Sequence, residues 1–126
     1  MNVGGMVYTS GTGAFPGVHL QHFNDEIVAK MELADEGKWL LMARVKIWNY
    51  DSDFQNASGK LVHDANVVLV EDHYYLDEKG SVCLYLQVGF ISNGKETVTL
   101  ECSTYAGRAE MASIVALKVD DIEFQG

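Results

Sequence analysis

The sequence predicts an all-β chain folded as an antiparallel β-sandwich, and three observations carry that expectation. Apolar and polar residues alternate over several segments, the period of a half-buried strand. Clusters of turn-forming residues separate those segments at short intervals. The length of 126 residues suits one domain, and 48% hydrophobic residues with a single proline supply a core without the bias of a disordered chain.

Within that single domain, 1–126, residues 1–17 read as a loop-like N-terminal arm, because Thr9 to Gly17 combine small residues, glycines and Pro16. The next segment is two-sided. Asn24-Asp25-Glu26 fits a helix cap, with Ile27, Val28 and Met31 at helical spacing and Gly37 to end it. Ile27, Ala29, Met31 and Leu33 also alternate with Glu26, Val28, Lys30 and Glu32, and consistency with the rest of the chain favours a strand. From Trp39 to Ile47 the alternation is clear, with Trp39, Leu41, Ala43, Val45 and Ile47 on one face. Further strands are expected at Leu61 to Val70, Val82 to Ile91, Glu96 to Ser103 and Met111 to Val119.

The turn at Asn93-Gly94 allows a register to be argued. A two-residue loop would set Leu86 opposite Glu101 and mix core with solvent. The three-residue loop Ser92-Asn93-Gly94 instead sets Val88 opposite Val98, Leu86 opposite Leu100 and Leu84 opposite Cys102, with Gly94 in a left-handed conformation. Cys83 then falls on the opposite face from Cys102, so two free thiols are expected rather than a disulfide. Two cysteines without a CxxC spacing also make no metal framework.

The net charge of −9 disfavours nucleic acid and anionic membranes as partners, since phosphate recognition needs clustered Lys and Arg and here they are scattered. No signal peptide or run of about 20 apolar residues is visible, so the chain reads as soluble, with its compartment unassigned. Asn56-Ala57-Ser58 fits a glycosylation sequon, a pattern common by chance.

Six or more strands with short turns leave jelly-roll and immunoglobulin-like topologies as candidates. The run from Leu33 through Gly37-Lys38-Trp39 to Val45, then Asn49-Tyr50-Asp51, Leu100 to Gly107 and the closing strand Ser113 to Asp120, resembles small jelly-roll domains of the C1q and tumour-necrosis-factor group. Bacterial modules of this look mostly have no assigned activity, and the eukaryotic relatives are non-enzymatic trimeric binding domains. The resemblance therefore implies a jelly roll that binds or assembles, with a homo-oligomer, a trimer by analogy, as the expected state.

Side-chain chemistry points the same way. There is no Gly-x-Ser-x-Gly elbow, HExxH or P-loop, and the chain is read as non-enzymatic. The nearest approach to a catalytic pair is His63-Asp64 and Glu71-Asp72-His73, where His63, Glu71 and His73 would share a face of one strand, or simply be solvated strand-end residues. His19 and His22 fall on opposite faces and do not chelate together. Asp51 and Asp53 with Asn56 offer oxygen ligands suited to calcium on one short loop, although Asp, Ser and Asn are also ordinary turn residues. Asp120, Asp121 and Glu123 are a weaker acidic group at the C-terminal end.

Trp48, Tyr50 and Phe54 near that loop present faces on which sugar rings could stack, unless they pack within the protein. The outward face of the Trp39 strand, with Leu40, Met42 and Trp48 beside Arg44 and Lys46, is too apolar for a solvated face. The arm through Phe15, a second subunit or a ligand would cover it. The expectation is a non-enzymatic binding module with a carbohydrate or protein ligand, or alternatively an assembly protein joined through its apolar sheet face.

Overall fold

A computed structural model describes residues 8–10, 17–33, 35–51, 53–64 and 67–119. They form two antiparallel sheets packed face to face, as in a jelly roll. In the first sheet β1 (Tyr8–Ser10) and β2 (Val18–Gln21) share one edge of β9 (Ala106–Val119). Beyond β9 lie β4 (Gly37–Asn49) and then β7 (Ser81–Ser92). The second sheet runs β3 (Glu26–Leu33), β8 (Glu96–Thr104), β5 (Gln55–His63), β6 (Val67–Leu76).

Strand β4 is the spine of the first sheet, flanked on both sides. Its alternation holds to the residue: Trp39, Leu41, Ala43, Val45 and Ile47 are all buried, and Asn49 ends the same inward row. They meet Leu61 of β5 and Val98, Leu100 and Cys102 of β8 in one core. Each fully buried Leu, Val or Ile contributes about 1.5–3 kcal/mol relative to exposure, so this two-sided row dominates stability.

The segment that fits either helix or strand is strand β3, and one bulge adjusts the expected alternation. Pairing with β8 shifts between Ile27 and Ala29, so Val28 and Ala29 both turn inward and Ile27 is left exposed. A bulge inserts one unpaired residue and so changes which face follows. Leu33 and Met31 keep their expected inward places.

Two expectations need correction. The strand expected over Leu61 to Val70 is two strands, because the chain reverses between His63 and Val67, with Asp64 at φ 50°. Aspartate tolerates that left-handed conformation, and with no glycine or proline there the only marks of the reversal were Asp64 and Asn66, within an otherwise apolar run. His63 and Glu71 therefore lie on different strands. The second correction concerns β7 and β8, which do not pair with each other: β7 pairs with β4, and β8 pairs with β3 and β5. Leu84, Leu86, Val98, Leu100 and Cys102 do point into one core, but from opposite sheets. Facing across a sandwich satisfies the same apolar pattern as lying side by side. Gly94 is left-handed as expected, at φ 96°, and Cys102 is buried while Cys83 is exposed, both as free thiols.

Part of the stretch expected as an arm is strand. Tyr8–Ser10 pair with Leu117, Ala116 and Val115, and Gly17 leads directly into β2. Phe15 and the group Asp120, Asp121 and Glu123 lie outside the described residues. Among the described residues no helix is long and apolar enough to cross a membrane.

Candidate functional site

Three places carry the chemistry expected from the sequence: the outer face of the first sheet, the loop after β4, and the end of β5. The outer face follows from strand alternation. With odd positions of β4 buried, Leu40, Met42, Arg44, Lys46 and Trp48 point outward, beside Val115 and Leu117 of β9 and Tyr85 and Ile91 of β7. Met42 lies opposite Val115 and Leu40 opposite Leu117, so the four half-buried apolar side chains form one block. Tyr85 is 68% exposed, Met111 65% and Ile91 63%, which extends that block to fully solvated apolar surface.

Met111 reaches this face through a bulge where the β4–β9 register shifts between Arg44 and Lys46. Its φ of 56° is rare for a bulky residue and costs of order 1–3 kcal/mol. A shallow hollow of about 150 Å³ opens there, lined by Arg44, Val45, Lys46, Cys83, Tyr85 and Met111.

Trp48 belongs to this face and not to an open platform. Its Nε1–H donates to Glu110 Oε1 at 2.6 Å, and Lys46 Nζ sits 4.3 Å over its ring. Phe54 is elsewhere, stacked on Tyr75 of β6 with ring centroids 5.6 Å apart and planes at 22°. Those two rings are 57% and 68% exposed. Tyr50 is exposed too, its amide donating to Ala106 O at 3.0 Å and its carbonyl accepting from Lys79 Nζ at 3.1 Å. Trp48 thus lies on the outer sheet face, while Phe54 is paired with Tyr75.

The loop bearing Asp51, Asp53 and Asn56 is built around two buried amides. Asn49 Nδ2 donates to the carbonyls of Asp53 and Asp77, each at 2.9 Å, and its Oδ1 accepts from the Asp51 amide at 2.8 Å and from Gln55 Nε2. Gln55 also donates to Ala106 O at 2.7 Å and accepts from Ala106 N at 2.9 Å. Asn56 is exposed on β5, its carbonyl accepting from Thr104 Oγ1 at 2.9 Å. Internal amides close this loop, so a cation is not needed to shape it.

At the opposite end of β5, His63 Nε2 lies 3.0 Å from Asp64 Oδ2 and in contact with Glu96 Oε2. Among the described residues, this is the set of three His, Cys, Asp or Glu side chains whose ligand atoms all lie within 4.8 Å of one another. Glu71 sits instead on β6 opposite Lys60, where its Oε1 is 3.4 Å from His73 Nε2. His19 is exposed on β2, and His22 packs edge-on against Tyr105. Glu96 was missed in the sequence, because it is 33 positions from His63 in the chain and only the β5–β8 ladder brings them together.

No family model and no curated protein matches this chain. Solved structures do share its architecture. The Eiger TNF of S. frugiperda superposes with a TM-score of 0.70 at 10% identity, covering 96% of this chain and 97% of that one. The VP2 protein of infectious bursal disease virus in T=1 particles gives a TM-score of 0.61 at 8% identity, over 91% of this chain and 32% of VP2. The T13 particle of the same virus gives 0.62 at 7% identity, over 90% and 31%. This chain spans about a third of the length of those viral proteins. What is shared is a TNF-like jelly-roll β-sandwich.

Proposed function

We propose that this jelly-roll chain is a non-enzymatic assembly module whose copies join through the outer face of the β4-centred sheet. The observation that carries the reading is the apolar block of Leu40, Met42, Val115 and Leu117, bordered by exposed Tyr85, Met111 and Ile91. Continuous apolar surface of this kind marks an interaction site, and a second copy presenting the same face buries it symmetrically. Arg44 and Lys46 beside Glu110 provide charges of both signs at its centre, which sets register. The viral protein with this fold is found in particles, which supports assembly as a use of the architecture.

Light scattering on a sizing column tests it. The chain runs as an oligomer, and Met42→Glu or Val115→Glu reduces it to the 13.9 kDa protomer while the circular dichroism spectrum is kept. A parent already at 13.9 kDa, or variants that keep the oligomeric mass, refutes the proposal.

A carbohydrate-binding role is the second reading, favoured by the exposed Phe54–Tyr75 stack. Stacked rings offer an apolar face to a sugar, with Tyr50, Asp51 and Asp53 on the adjoining loop and Asn56 at the start of β5 as polar or calcium-dependent partners. Phe54→Ala and Asp53→Ala then abolish retention on immobilised glycans with the fold intact, whereas Trp48→Ala has the smaller effect because Lys46 covers its ring. Retention unchanged in Phe54→Ala and Asp53→Ala would eliminate this reading.

A further inference from the structure

We propose that His63, Asp64 and Glu96 form a binding site for a divalent first-row transition cation, with zinc as the representative ion. Backbone pairing fixes the three positions independently of any ligand. His63 ends β5 opposite Val98, the Asp64 amide donates to Thr97 O at 3.0 Å, and Asp64 Oδ1 accepts from the Thr97 amide at 3.4 Å. Glu96 opens β8 one residue before that contact. The imidazole is held edge-on against Phe90, ring centroids 4.8 Å apart, with Nε2 beside the two carboxylates.

The detail that separates this trio from an ordinary ion pair is the state of Nε2. It is closed off from solvent and has no hydrogen-bond partner, although carboxylate oxygens of both Asp64 and Glu96 lie beside it. An ion pair alone would place an oxygen on the axis of the ring N–H. Oxygens gathered near a ring nitrogen but off that axis surround a point where a cation would sit, and a shared cation satisfies all three atoms at once.

Zinc holds nitrogen and oxygen ligands at about 2.0–2.2 Å, which sets its ligand atoms roughly 3–4 Å apart, and small side-chain rotations bring the three to that spacing. One imidazole with two carboxylates balances the charge of a divalent ion and prefers a borderline metal to calcium or magnesium.

Three protein ligands leave a coordination position open. A groove of about 370 Å³ lined by Glu32, Leu33, Lys95, Glu96 and Thr97 adjoins it and provides an entry path and room for a water or anionic group. Because the ligands come from the end of β5 and the start of β8, the cation clips the two strands together and binds only the folded chain.

Chelator-treated full-length chain titrated with zinc chloride in excess magnesium, followed by calorimetry, tests the site. The expected result is one saturable equivalent per chain, a rise in Tm, and X-ray absorption showing one nitrogen and two oxygens from protein at about 2.0–2.2 Å. Asp64→Asn and Glu96→Gln, close to the parent in shape, each weaken binding by about 10- to 100-fold or more. His63→Gln does the same, and the two carboxylate variants carry the test if losing the Phe90 contact unfolds it. Absence of a saturable equivalent, or one undiminished in Asp64→Asn and Glu96→Gln, overturns the proposal. The second outcome would assign the zinc to the exposed histidines.

Discussion

Asn49 does more for the fold than its position in a turn-rich stretch suggests. Its side chain is 1% exposed and links the loop after β4, the start of β5 and the β6–β7 turn through four hydrogen bonds. Truncation in Asn49→Ala strands two carbonyls, one amide and the Gln55 side chain, so a loss of about 3 kcal/mol in urea unfolding is expected. The sequence placed Asp51, Asp53 and Asn56 on one short loop with outward polar side chains; the loop runs only from 50 to 54, and Asn49 and Asn56 lie on β4 and β5 at its two ends. Burial of Asn49 and Gln55 depends on Ala106, 51 positions beyond Gln55, and local composition carries no such information.

Cys102 is buried as expected, although the hairpin register that placed it inward is not the one the structure shows. Burial, with Asp25 and Glu101 adding to it, pushes its thiol from 9.0 up to about 12. Between those values an unfolded chain has lost the thiol proton and the folded one has kept it, so stability falls as pH rises through that window and is unaffected below it. Urea midpoints at about pH 8 and about pH 10.5 therefore differ less in Cys102→Ala than in the parent. A thiol reagent at neutral pH modifies Cys83 alone until denaturant is added.

Among the elements, β4 and β9 leave no room for a side chain at Gly107. A β-carbon added there would stand 2.0 Å from the Trp48 carbonyl oxygen, an atom of backbone that has no rotamer to change. Gly107→Ala must spread the two strands, and a loss of about 2–3 kcal/mol follows, read as a lower Tm. Met111 poses the converse case on the same strand. Met111→Gly relieves a left-handed methionine, so protomer stability holds or rises, while an interface built on this face weakens. Thermal melts alongside column masses separate the two effects. Element boundaries were readable wherever a glycine or a charged cluster stood, as at Gly37 and Gly94. The bulges at Val28 and Met111 were not, because each is fixed by a partner strand, and the His63 to Val67 reversal was marked only by Asp64 and Asn66.

Across the whole molecule, only β5 and β6 among the described strands are both consecutive and paired, and from β2 onward every other connection crosses between the sheets. A topology so poor in local pairing folds in about milliseconds to seconds, and temperature-jump tryptophan fluorescence should show no microsecond phase that buries Trp39. The same connectivity explains what the chain could and could not reveal before its structure. Inward faces are written into the alternation of each strand, and they sufficed for an all-β sandwich. Neighbour relations between strands are not written there, which is why the turn at Gly94 looked like a hairpin and is a bridge between sheets.

One consequence of that connectivity is mechanical. Tyr8 pairs with Leu117 and Ser10 with Val115, so the first described strand and the last lie antiparallel side by side, with the outer end of each at the same edge. Tension applied through the flanks of Tyr8 and Val119 meets the β1–β9 bonds one after another, along their own direction, as a zipper is opened. The sandwich should peel at low force from that corner, and β2, paired further along β9, is the next seam to part.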